Sequence, residues 1–131
     1  MRVMLDANVL FSAILFPNDR MDALIYKATL DHRLVLSSYT INELLDVTKR
    51  KFPAKVKDVE LYLTRLPYEL ANTPKEQDVD LFKIRDIDDY PVLYSAIVAN
   101  LDVFVTGDHD FNDVEIKKPD IITPAEFLEK Y

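Results

Sequence analysis

The sequence predicts an α/β protein whose parallel sheet is covered by helices on both faces. Three observations predict it. Short apolar runs of strand length alternate with stretches of helical periodicity along the chain. The runs Arg2-Val3-Met4-Leu5 and Leu101-Asp102-Val103-Phe104-Val105 read as buried strands, as expected when helices cover both faces. Each of these two ends at acids: Asp6-Ala7-Asn8 follows the first, and Thr106-Gly107-Asp108-His109-Asp110 follows the second. In such sheets ligands sit beyond the carboxyl ends of the strands, where both acid groups point.

After Asp6, Asn8 to Leu15 has helical periodicity through Val9, Ile14 and Leu15. Pro17-Asn18-Asp19 interrupts it, and Arg20 to Leu30 continues as a helix with Met21, Leu24, Ile25 and Ala28 on one face. Leu34-Val35-Leu36 is the second strand, leading through Ser37-Ser38 to a helix from Tyr39 to Lys51 that Pro53 closes. Val56 to Leu66 is amphipathic and helical, and Glu69 to Asn72, between Pro67 and Pro74, reads as an edge strand. Val79 to Ile84 is taken as a short helix. Pro91 starts a helix running to Asn100, capped by Asp89 or Tyr90. Gly107, the only glycine of the chain, marks a tight bend after the strand Val103 to Val105. Ile121-Ile122 is the last strand, and Thr123-Pro124-Ala125-Glu126 has the capping threonine, early proline and glutamate of a helix start.

The 131 residues suffice for one domain, 1–131, with its own core. Apolar content of 49% and charged content of 30% are those of a soluble globular protein, and no run is long enough to span a membrane. Without cysteine there is neither a disulfide framework nor a thiolate metal site, which fits a cytoplasmic protein. A net charge of −7 argues against phosphate binding by the whole surface. Much of that charge sits in Asp86, Asp88, Asp89, Asp108, Asp110 and Asp113, where a divalent cation would offset it.

Asp6 reads equally as a helix cap and as a site acid. Asn8 is a capping or turn residue whose amide can orient Asp6. Glu43 forms a capping box with Thr40 or, if Ser38 is the cap, stands inside the helix within reach of Asp6. Asp86, Asp88 and Asp89 exceed what the dipole of the following helix calls for and repel one another. His109 reads as a solvated loop residue. Four segments thus bring carboxylates to one sheet edge. Oxygen-only ligands imply a hard ion, Mg²⁺ or Mn²⁺, and the chemistry that suits them is phosphodiester hydrolysis.

Several stretches resemble the PIN-domain family, in particular its toxin–antitoxin toxins. They are Val3 to Leu10 with Ser12, Ser38 through Glu43, Asp86 to Pro91 with Ala96, Thr106-Gly107-Asp108, and Thr123 to Phe127. The resemblance implies a three-layer α/β/α, Rossmann-like fold with a parallel sheet of four to five strands. It implies a Mg²⁺- or Mn²⁺-dependent endoribonuclease, with an antitoxin as protein partner and a homodimer as a common assembly. By position the catalytic acids fall on Asp6, Glu43, Asp89 and Asp108, and the metal ligands on Asp6, Asp89, Asp108 and Asp110. Asn8, Thr106 and Asp88 support them, Asp88 competing with Asp89 for the third place. Tyr90 stands where relatives often carry another acid, and Asn100-Leu101 replaces Gly-Ala.

RNA contact falls to Lys49-Arg50-Lys51 with Lys55 and Lys57, or to Lys117-Lys118, although basic residues in a last helical turn also serve the helix dipole. Two other functions compete. A receiver or phosphatase domain would need a second aspartate two residues after Asp6, where Asn8 stands, and would respond to an acyl-phosphate analogue. A degenerate domain that only binds a protein would gain no stability from Mn²⁺.

Overall fold

The computed structural model describes residues 1–131 and has five strands in one parallel sheet. In chain order these are β1 (Arg2–Leu5), α1 (Ala7–Leu15), α2 (Asp19–Tyr26), β2 (Arg33–Ser37), α3 (Ser38–Lys51), α4 (Val56–Arg65), β3 (Glu69–Ala71), α5 (Tyr90–Val98), β4 (Val103–Val105), β5 (Asp120–Ile122) and α6 (Pro124–Lys130). The strands lie in the order β3-β2-β1-β4-β5, all pairs parallel. The chain builds outward from β1 to β3, then returns to the other side of β1 to place β4. The β1–β4 boundary is therefore the switch point of the sheet, where a crevice opens beyond the strand ends.

Strand alternation divides the core in two. Val3, Leu5, Leu34, Leu36, Val103 and Val105 turn to one face, under α1, α2, α4, α6 and Leu44 of α3. Met4, Val35 and Phe104 turn to the other, under α5 with Phe82 and Phe111. Both faces are dry, which is why the strands carry no polar alternation.

Three local expectations are corrected. Residues 79–84 form no helix. Tyrosines of α5 hold that stretch instead: the Tyr90 hydroxyl donates to the Asp78 carbonyl and accepts from the Leu81 N–H, and the Asp78 N–H donates to the Tyr94 hydroxyl. Phe82 stacks on Tyr90 at 4.1 Å between ring centroids. Tyr90 is thus a core residue, 3% exposed, and no longer a stand-in for a site acid. Secondly, the helix expected over Arg20–Leu30 is α-helical only to Tyr26 and continues as a π-helical turn, Lys27–Asp31.

Thirdly, Gly107 has no left-handed φ, and a Cβ there would meet nothing within 4 Å. The residue that does adopt φ 58° is Asn100, just past α5. Its N–H donates to the Ile97 carbonyl, and that of Leu101 to the Ala96 carbonyl, which ends the helix with its carbonyls satisfied. Asparagine tolerates that conformation better than other side chains do.

Candidate active site

Asp6 leaves β1 one residue beyond Leu5, which pairs with Val105 of β4. Its N–H donates to the Val105 carbonyl at 3.0 Å, so the turn into α1 is tied to the neighbouring strand. The carboxylate makes no capping bond to α1. It accepts instead from the Thr106 hydroxyl at 2.7 Å, a contact across the switch point between residues 100 apart in sequence. Thr106 Oγ1 also accepts from the Asp108 N–H at 3.1 Å. One buried hydroxyl therefore orients the strand-end acid of β1 and the loop that carries the acid after β4. Asn8 is exposed and lines a recess of about 310 Å³ beside Asp108.

Glu43 lies in the second turn of α3. The cap of that helix is Ser37, whose hydroxyl accepts from the Thr40 N–H at 3.0 Å, so the Thr40–Glu43 capping box does not form. Glu43 is half-buried, its proton affinity raised first by burial and then by the charges of Asp6 and Asp88. The third group comes from a 3-10 turn, Ile87–Asp89, at the start of α5. Asp86 closes the turn by accepting from the Asp88 N–H at 3.0 Å. In a 3-10 turn residues three apart align, so Asp86 and Asp89 project together. They meet Asp110, and carboxylate oxygens of all three lie within 4.8 Å of one another. Asp88 points to solvent; of the two residues competing for the third place, Asp89 is the one partly enclosed with the other acids. Asp86 completes a group that position alone did not assign to it, and the three-residue spacing before Pro91 was its sequence signal.

The acids repel one another across the whole group. Asp89 is pushed up to about 7, by burial first and then by Asp108, Asp86, Asp6 and Asp110. Its Oδ2 is buried without a hydrogen-bond partner. Asp6 is raised as well, mainly by burial and further by Asp108, while the Thr106 hydroxyl and the nearby amides of Ala7 and Asn8 act the other way. The opposite edge of the sheet is different. At the amino edge of the sheet, Glu69 meets Arg2 and Arg33, Asp102 meets Lys118 at 3.2 Å, and Asp120 meets Lys130 at 2.7 Å. All three carboxyls are held below their ordinary range: Glu69 by its bond from Arg2, Asp102 by the Arg2 N–H at 2.8 Å and then by Lys118, and Asp120 by Lys130. At the carboxyl edge the one basic side chain in ion-pair range is Arg85, exposed, 3.8 Å from Asp110 and 3.2 Å from Asp113. The donor set is all oxygen, crowded, and leaves a buried carboxylate oxygen unpartnered. Those features fit a hard divalent cation.

The basic residues divide differently from the expectation. Lys118 is engaged with Asp102 at the far edge and takes the Lys117-Lys118 pair away from the acids. Lys49, Arg50 and Lys51 are exposed in the last turn of α3, and Arg50 lines a cleft of about 360 Å³ that runs past Tyr39 and Glu43. Lys55 sits 3.8 Å from Asp58. His109 is exposed on the turn after Asp108, a solvated loop residue as expected. A recess of about 420 Å³ lies between α2 and α4 around Ile25, Leu61 and Tyr62, away from the acid group. Carboxylate crowding, and not concavity, marks the site.

Comparison with protein families matches residues 2–110 to the PIN domain. A comparison with curated proteins gives no match. Among solved structures the chain is similar to one in the crystal structure of VapBC2 from Rickettsia felis bound to a DNA fragment from their promoter. The two are 18% identical, with 94% of this chain and 98% of that one covered at a TM-score of 0.74, a likeness of fold. The family match takes in Asp6, Glu43, Asp86, Asp89, Asp108 and Asp110, the acids of the carboxyl edge. With that match across most of its length, the chain belongs to the PIN-domain family, a family of nucleases.

Proposed function

We propose that this protein is a divalent-metal-dependent endoribonuclease and the toxin of a toxin–antitoxin pair, acting in the cytoplasm. One observation carries the reading: carboxylates from four segments crowd the switch point of the sheet, raise one another's proton affinity and are left without lysine partners. Asp6, Asp89, Asp108 and Asp110 are the residues that would hold Mg²⁺ or Mn²⁺, with Asp86 beside them. When bound, the ion supplies Lewis acidity toward water and phosphate and offsets the charge of the carboxylates. Thr106 keeps Asp6 aimed, and Asn8 and Asp88 flank the site. Glu43 comes from a helix opposite the strand ends. We give it the role of accepting, at a carboxylate oxygen, the proton of the water that attacks phosphorus. The ester oxygen leaves as the new P–O bond forms. Lys49, Arg50 and Lys51 contact the RNA backbone, with Arg50 at the end of the cleft that passes Glu43.

Asp6→Asn and Asp108→Asn each remove one charge and keep the side chain's shape. Cleavage of a single-stranded RNA in Mn²⁺ should fall to background in both. The metal-free Asp6→Asn protein should gain about 1 kcal/mol in stability, because a buried charge is gone while Thr106 keeps an acceptor. Cleavage that survives both substitutions in purified protein removes the site from consideration. The likeness to a chain of VapBC2 supports a protein partner. Co-purification with the product of a short neighbouring reading frame, and loss of cleavage in that complex, is the expected result.

A further inference from the structure

Two elements that carry site acids, α3 with Glu43 and the turn into α5 with Asp89, are joined by a set of polar contacts that no strand pairing requires. The Tyr39 hydroxyl donates to the Asp88 carbonyl at 2.9 Å, reaching from the first turn of α3 to the middle of the acid-bearing 3-10 turn. The Tyr39 N–H donates to Thr73 Oγ1 at 3.2 Å, and the Thr73 N–H donates to Ser38 Oγ at 2.9 Å. On the other side of Thr73, the hydroxyls of Thr73 and Ser95 hydrogen-bond at 2.8 Å, and Ser95, buried on α5, lies 2.8 Å from the Pro91 carbonyl. Thr73, two residues past β3, is thus held between the two helices. Side-chain hydroxyls fix both helix starts, and each end of the clasp lies within one or two turns of an acid.

From this we infer that Tyr39 and Thr73 are positioning residues: they set the Asp89 turn against α3, and through it the spacing between Asp89 and Glu43 on which divalent-ion binding depends. Neither residue offers a carboxylate, and each acts through the backbone it holds. The clasp matters most because the elements it joins repel. The charge of Asp88 acts against Glu43, and that of Asp89 against Asp6 and Asp108, so without the clasp the turn would be pushed away from α3 and the strand ends. Groups that orient ligands from outside the coordination sphere typically set metal affinity by tenfold or more.

The inference rests on the metal-site reading proposed above, and Mn²⁺ binding measured without RNA separates the two. Calorimetric titration with Mn²⁺ well below the melting temperature should show one affinity for the unsubstituted protein. It should show an affinity about tenfold weaker for Tyr39→Phe, which keeps the ring and loses the hydroxyl. The metal-free melting temperature should stay within a few degrees. Thr73→Ser, which keeps the hydroxyl, should bind like the unsubstituted protein, whereas Thr73→Val should bind more weakly; this pair carries the test if Tyr39→Phe does not fold. Tyr131→Phe loses a comparable hydroxyl bond, 3.0 Å to Asp120 at the far edge, and should leave Mn²⁺ affinity unchanged. Equal affinity in Tyr39→Phe and the unsubstituted protein, or in the two Thr73 variants, overturns the positioning role. No Mn²⁺ binding by the unsubstituted protein overturns the metal-site reading and the clasp with it.

Discussion

Thr106 concentrates two tasks in one side chain that is 3% exposed. Its hydroxyl hydrogen donates to Asp6, and its oxygen accepts the N–H of Asp108. Valine has the same shape and neither capacity. Thr106→Val should therefore cost about 1–3 kcal/mol, because a buried carboxylate loses its donor and a backbone N–H its acceptor. Chemical denaturation without metal measures this, and the same variant should bind Mn²⁺ more weakly because Asp6 is no longer aimed. Gly107, next in sequence, behaves oppositely. Its φ lies in the ordinary range and a Cβ meets no atom, so Gly107→Ala should be tolerated and should stabilise by about 0.4–1 kcal/mol through the unfolded chain. Unfolding midpoints of the two variants should move in opposite directions.

At the scale of elements, side-chain caps fix the starts of α3 and α6. Ser37 caps α3, and Thr123 with Glu126 forms the capping box of α6. The end of α5 is equally definite. Asn100 must hold φ 58° for Leu101 to return into β4, so Asn100→Ala should cost about 1 kcal/mol, whereas Asn100→Gly should be neutral or mildly stabilising. A difference of about 4 °C in melting temperature between the two is the expected reading. In the stretch from residue 72 to 86, which has no regular element, Tyr90 and Tyr94 hydrogen-bond the backbone of Asp78 and Leu81.

Across the whole molecule, Glu69, Asp102 and Asp120 at the amino edge of the sheet are ion-paired, whereas at the carboxyl edge only the exposed Arg85 approaches the acids, at Asp110 and Asp113. This has a consequence for pH. Asp6, Glu43 and Asp89 hold protons more tightly in the folded chain than in the unfolded one, Asp89 to about pH 7. The folded state then binds more protons through the interval from about pH 4 to 7, so metal-free stability should fall as pH rises across it. The paired acids Glu69, Asp102 and Asp120 work in the other sense, losing their contribution only as pH falls below the usual carboxylate range. Thermal melts between pH 4 and 8 should therefore show a decline toward neutrality that saturating Mn²⁺ removes or reverses by mass action. A metal-free stability that rises steadily from pH 5 to 7.5 would contradict the crowding of these carboxylates.

The apolar runs, the acids that end them and the threonine-proline helix start are local properties of the chain. Hydrophobic pattern and capping chemistry act between near neighbours, so the five strands and most helices were readable in order, while the choice of Asp6, Glu43, Asp89 and Asp108 among the acids came from the family resemblance. Whether those acids meet depends on strand order and register, which set Leu5 beside Val105 and hence Asp6 beside Thr106. No short-range pattern encodes that contact. The same holds for Asp86 joining Asp89 and Asp110, for Lys118 being drawn to Asp102, and for Thr73 linking α3 to α5. Each pairs residues brought together only by packing, where burial removes water and makes the remaining partner decide the charge.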